Sequence, residues 1–142
     1  MSKLDEQAPV KVAAPVWRTR LLALGAALVA TSLAWVVAYL AGVELTASQP
    51  GMDAVPIGVV NVAASVLLFG GLGWLARAVL DRFAKRRAVL VWRIGAGAVF
   101  VLEWFPVILT DATWGTKAFL AVLHLIVAAI LIPVLGKRLP ES

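Results

Sequence analysis

TKAFLAVLHLIVAAILIPVL, residues 116–135, carries one lysine near its start, one histidine within, and no acid. A hydrocarbon core about 30 Å thick takes roughly 20 predominantly apolar residues in helical form, so this stretch reads as a transmembrane helix. Three further runs of the same character precede it, at residues 21–41, 56–76 and 89–109. The connections between them are too short to hold a soluble catalytic domain. The expectation is an all-α fold, an integral membrane antiparallel four-helix bundle over residues 17–138, with polar cytoplasmic tails at residues 1–16 and 139–142.

Composition points the same way. Of 142 residues, 62% are hydrophobic and 15% charged, against an apolar share of about 45–50% in soluble domains. The net charge of +5 would suggest nucleic acid in a soluble chain. Here the bases flank the apolar runs, so the expected partners are anionic lipid headgroups and not nucleic acid. Cysteine is absent, which removes disulfides, thiol nucleophiles and thiolate metal sites from consideration. The first apolar run follows Asp5 and Glu6 and is longer than the roughly 7–15 residues of a signal-peptide core. It is expected to be a retained span.

Orientation follows from the bases. Lys3, Lys11, Arg18 and Arg20 precede the first run; Arg77, Arg82, Lys85, Arg86, Arg87 and Arg93 surround the turn between the second and third; Lys137 and Arg138 follow the fourth. Only Lys117 falls on the other side. By the positive-inside rule both termini and the central turn are expected in the cytoplasm of a bacterial cell, with the plasma membrane as the site. The outer loop at residues 42–55 is long enough to form a small cap.

Helices in lipid associate through small residues that let backbones approach. Ala26, Ala30, Ala34 and Ala38 make an i, i+4 ridge on the first span, while Gly71 with its neighbours Gly70 and Gly73, and Gly95 with Gly97, are the expected close crossings of the second and third. Trp17, Trp35, Trp92 and Trp114 read as interfacial anchors.

The polar residues within spans are the candidate site. Ionisable groups at membrane depth are costly and point to function. Glu103 falls roughly 5 Å and His124 about 2 Å outward of the expected midplane. Asn61 and Ser65 are one turn apart on the second span, and Tyr39 lies near the end of the first. These five are expected to share one outward-facing polar pocket, in which Glu103 and His124 could exchange a proton. The plainer expectation is that Glu103 is protonated, or bonds Asn61 or His124, simply to fix helix register, while His124 donates to a nearby carbonyl. Pro106, three residues beyond Glu103, can kink the third span. A single histidine cannot supply bis-His haem ligation within one chain, and no nucleophile–base set or zinc motif is present. No catalytic residue, metal or cofactor is therefore expected.

Leu40, Ala41, Gly42 and Val43, together with HLIVAAILIP at residues 124–133, resemble an uncharacterised family of four-transmembrane-helix proteins, a domain of unknown function, from high-GC actinobacteria. That resemblance implies the bundle and assigns no reaction. Two functions are carried forward. The first is a non-catalytic membrane component, a small homo-oligomer or an accessory subunit of a membrane complex. The second is a proton-coupled small-molecule transporter using Glu103 and His124; its four-span size resembles the small multidrug transporters, whose membrane carboxylate, however, lies in the first span.

Overall fold

The computed structural model describes residues 14–138; of the expected tails at residues 1–16 and 139–142, residues 1–13 and 139–142 lie outside the described residues, and Val16 already belongs to the first helix. Five helices follow in order: α1 (Val16–Leu40), α2 (Val59–Phe83), α3 (Ala88–Leu102), α4 (Trp104–Leu109) and α5 (Trp114–Leu135). With α3 and α4 forming one crossing, Lys85–Leu109, four segments are long and apolar enough to traverse a bilayer. The protein is an all-α, multi-pass membrane protein.

The helices outrun the apolar stretches at one end. α1 begins upstream of Arg20, and α2 continues past Ala76 to take in Arg77 and Asp81. These charges remain helical because they meet one another. Arg20 Nη2 donates to Asp81 Oδ2 at 2.8 Å, and Arg77 Nη1 pairs with Asp81 Oδ1. Arg77, 1% exposed, also donates from Nε to the Leu135 carbonyl at 2.6 Å and from Nη2 to the Lys137 carbonyl at 3.2 Å. Two guanidinium groups thus share one carboxylate, and the surplus positive charge lies on the carbonyls at the C-terminus of α5, the negative end of that helix. Arg20 and Arg77 turn inward, whereas Arg82, Lys85, Arg86 and Arg87 remain exposed at this basic end.

In cross-section the bundle is a diamond: α1 lies along both α2 and α5, and α3 reaches α2 and α5 from the opposite side. The buried face of α1 consists of Ala23, Ala27, Thr31 and Ala38. Thr31 is fully buried, and its hydroxyl returns to its own helix at the Ala27 and Leu28 carbonyls. The expected alanine ridge is therefore corrected. Ala38 is buried and Ala34 packs beside it, but Ala26 is exposed and Ala30 only half-buried, because the 3.6-residue repeat rotates a strict i, i+4 row away from the contact.

The glycine expectations also shift, by one position on α2. Gly70 is the close crossing, since an added Cβ would collide with Leu24 Cδ1 and lie 3.3 Å from Leu131 Cδ1. Gly71 and Gly95 have open space at that position, so neither is a crossing within the chain. One residue along a helix turns a side chain by about 100°, which is enough to move Gly71 from the interface to the outside.

The opposite end is closed by hydrogen bonds. α1 stops in a glycine cap: Gly42 has φ +73°, its N–H reaches the Tyr39 carbonyl, and the Val43 N–H reaches the Ala38 carbonyl at 3.0 Å, the pairing of a Schellman motif. β1 (Thr46–Ala47) then pairs antiparallel with β2 (Val55–Pro56), and Ser48 exchanges both backbone bonds with Asp111. Trp35 Nε1 donates to the Ile57 carbonyl at 2.7 Å. Thr113 caps α5 by accepting from the Thr116 N–H, and the buried Thr116 hydroxyl bonds the Glu44 carbonyl. Loop, hairpin and three helix ends form one lid at this hairpin end.

Two substitutions test this packing. Gly70→Leu is expected to lower stability by about 1–3 kcal/mol through overpacking, read as a lower melting temperature in detergent, whereas Gly71→Leu is expected to melt with the parent. Asp81→Asn strands two buried guanidinium groups and is expected to cost about 3–5 kcal/mol; an unchanged melting temperature would show that the pairs do not hold the basic end.

Candidate functional site

α3 begins inside the bundle and leaves it. Ala88 and Trp92 are buried, and Trp92 Nε1 donates to the Ile132 carbonyl at 3.0 Å. Beyond that anchor Ile94, Val99, Val101 and Leu102 are all exposed. The separation leaves a cleft between α2, α3–α4 and α5. Its part nearer the basic end encloses about 450 Å³ and its part nearer the hairpin end about 520 Å³. Phe69, Glu103 and Val127 line both, so Glu103 stands at the junction.

The walls follow from helical periodicity. On α2, Asn61, Ser65 and Phe69 follow one another at four-residue steps and face the cleft, while Val62 and Val66, one position on, are buried in the two core clusters. On α5, Leu120, Leu123, His124 and Val127 form the facing stripe. The cleft is thus mainly apolar, with polar groups concentrated in the part nearer the hairpin end.

Glu103 owes its place to a helix break. Pro106 has no N–H to give to the Leu102 carbonyl, four residues earlier, so α3 ends at Leu102 and α4 restarts at Trp104 with Glu103 between them. The Glu103 carboxyl is half-buried, and among the described residues it has neither hydrogen-bond nor ion-pair partner. His124, also half-buried, bonds through Nδ1 to the Leu120 carbonyl at 2.7 Å. A carbonyl only accepts, so Nδ1 carries a proton and Nε2 is left without a protein partner.

Four of the five expected site residues meet here: Asn61, Ser65, Glu103 and His124 line one chamber. Glu103 and His124 do not pair with each other, and Glu103 does not bond Asn61; the His124–carbonyl bond is the part of the plainer expectation that the geometry contains. Tyr39 is corrected. It is 63% exposed and stacks on Trp35 with ring centroids 5.2 Å apart, because it follows buried Ala38 and projects about 100° away from the core-facing side of α1. The tryptophan expectation also divides, for Trp17 and Trp114 are exposed whereas Trp92 is buried and Trp35 half-buried, both donating to backbone carbonyls.

Sequence reading missed the Arg20–Asp81–Arg77 cluster. A signal was present, since Arg77 and Asp81 are spaced i, i+4 and so share a helix face; counting bases for topology hid the one acid among them. It also missed Phe69 and Val127, whose apolar side chains carry no chemical signal.

The fold defines a multi-pass helical membrane protein, and polar groups line a mainly apolar cleft between its helices. The chain belongs to a family of unknown function, DUF6069, whose model matches residues 11–141. No curated protein and no solved structure matches it.

The tautomer of the chain's single histidine is open to direct measurement. In ¹⁵N-histidine solid-state NMR of the protein in bilayers, a neutral ring protonated at Nδ1 is expected. A ring protonated at Nε2 would remove the free acceptor from the cleft.

Proposed function

We propose that the protein is a non-catalytic component of a bacterial plasma membrane that receives a small membrane-dissolved molecule in the cleft between α2, α3–α4 and α5. The observation that carries this reading is the separation of α3 from α2 and α5 beyond Trp92, which leaves an apolar cleft whose two parts fall within the roughly 300–1,000 Å³ typical of small-molecule sites. Unpartnered polar groups at such depth are costly when idle. In this reading the protein works as a homo-oligomer or an accessory subunit, with the open faces at Gly71 and Gly97 available to a neighbouring helix.

The exposed bases Arg82, Lys85, Arg86 and Arg87 support a cytoplasmic basic end in contact with anionic headgroups, each base near the surface contributing on the order of 1 kcal/mol. Both termini are then cytoplasmic, and the hairpin lid faces outward.

Proton-coupled transport is the second reading. It is favoured by the helix break at Glu103, since transporters place such discontinuities at substrate depth. Binding without carriage is preferred because hydrogen-bonded structure occupies both ends of the bundle: the arginine cluster with Trp92 at one, the hairpin lid at the other.

Native mass spectrometry of protein gently extracted from its own membranes tests the proposal. A non-covalent mass on the parent chain is expected, retained in Gly71→Leu and lost in Ser65→Trp, because Ser65 lines the cleft and is exposed there. A bare parent mass, or an adduct indifferent to Ser65→Trp, would sink the reading.

A further inference from the structure

Resting on the cleft as a small-molecule site, we propose that its ligand is a lipophilic amine: a primary or secondary ammonium group on a compact apolar body, held by Glu103 and His124. The argument is one of donors and acceptors. His124 Nδ1 is committed to the Leu120 carbonyl, so the neutral ring presents Nε2 as a lone-pair acceptor. An ionised Glu103 is an acceptor only. Both line one chamber without bonding each other, and with Glu103 ionised and His124 neutral neither can donate to the other. Asn61 and Ser65, in the same chamber, both donate and accept and accommodate whichever group arrives.

The chain supplies no cation for Glu103 among its described residues. Lys117 Nζ donates to the Ile108 carbonyl at 3.1 Å and lies over the Trp114 ring. Arg20 and Arg77 share Asp81. Arg93, on the same crossing as Glu103, is displaced from it by roughly 15 Å along the helix. At this depth, where an isolated charge is expensive, the carboxyl is neutralised either by a proton or by a cation that a ligand brings; the second is the liganded state.

An ammonium with two or three N–H bonds fits both requirements. It brings the charge, and it has enough donors to serve Glu103 and His124 Nε2 together. An alcohol has one donor and no charge; a quaternary ammonium has the charge and no N–H. The remainder of the ligand must be apolar, because Val66, Phe69, Leu123 and Val127 form the surrounding wall. Depth separates this ligand from a bilayer phospholipid: Glu103 lies roughly 9 Å and His124 roughly 15 Å in from the hairpin ends of their helices, whereas an aminophospholipid headgroup sits at the interface.

Three probes that share one apolar cage and differ in the head group test the proposal: 1-adamantylamine, its N,N,N-trimethylammonium analogue, and 1-adamantanol. Each is titrated into zwitterionic nanodiscs carrying the full chain, with empty nanodiscs as the blank. The amine is expected to bind the parent at least about tenfold tighter than either analogue. Glu103→Gln is expected to abolish that preference while keeping alcohol binding, and His124→Phe, which preserves a planar ring, to reduce it severalfold. Equal binding of amine and alcohol by the parent, or a preference that survives Glu103→Gln, overturns the amine and leaves the cleft reading standing. Failure of all three probes to bind the parent overturns both.

Discussion

Among the described residues Asp81 is the single acid at the basic end, and three helices converge on it. It receives Arg20 from α1 and Arg77 from its own helix, while Arg77 continues to the last carbonyls of α5. Buried ion pairs gain little over apolar packing but cost several kcal/mol when one partner is removed. The cluster therefore acts less as a source of net stability than as a constraint on arrangement. A neighbouring register of α1 against α2 would leave Arg20 without its carboxylate, and one of α5 against α2 would take the Leu135 and Lys137 carbonyls from Arg77. In a medium where apolar side chains gain little by leaving lipid for one another, such penalties select one packing among many that are equally greasy.

The cleft depends on that constraint. α1, α2 and α5 are fixed at the basic end by the arginines and at the hairpin end by the Trp35 and Thr116 hydrogen bonds. Gly70 sets the approach of α2 to Leu24 and Leu131 between those ends. α3 shares only part of this support: it is held near its start by Trp92, where the indole donates to the Ile132 carbonyl, which also accepts from the Gly136 N–H. Past Trp92 nothing comparable draws α3 inward, and small residues at Gly95 and Ala96 line the cleft instead of filling it. The α3–α4 crossing is thus held by Trp92 at one end and by Val107, the Ile108 carbonyl and Asp111 at the other, and the cleft lies between those ties.

Much of this was legible in the sequence, and what was not has a physical reason. Spans, their number and their alternation follow from the length of apolar runs, which the bilayer fixes. The convergence of Asn61, Ser65, Glu103 and His124 was also legible, because alternating helix directions place all four at similar depth and polar side chains have few other destinations there. Rotation about the helix axis was not. Ala30, Gly71 and Tyr39 were assigned faces that differ from the observed ones by a residue or so, and hydropathy carries little angular information when every face of a helix is apolar. The helix ends at the basic end were cut short for a related reason. A charge ends a hydropathy run whether it faces water or a partner, and only the coordinates of Asp81 distinguish the two.

Leu40, Ala41, Gly42 and Val43, the short run that carries part of the family resemblance, also acquire a mechanical meaning. Gly42 supplies the left-handed residue that ends α1, and Val43 packs onto the cluster of Ala38, Leu45, Val62 and Phe119. A glycine there is required by the backbone and not by a ligand. His124, at the head of the second run, is different. Its Nδ1 bond to Leu120 satisfies only half the ring, and helix formation alone would be served by leucine or alanine. A side chain that returns one nitrogen to its own helix and holds the other toward a carboxyl-bearing cleft is oriented, not merely accommodated. That asymmetry sets His124 apart from Gly42: the glycine serves the backbone, while the histidine leaves one ring nitrogen without a protein partner in a chamber that Glu103 also lines.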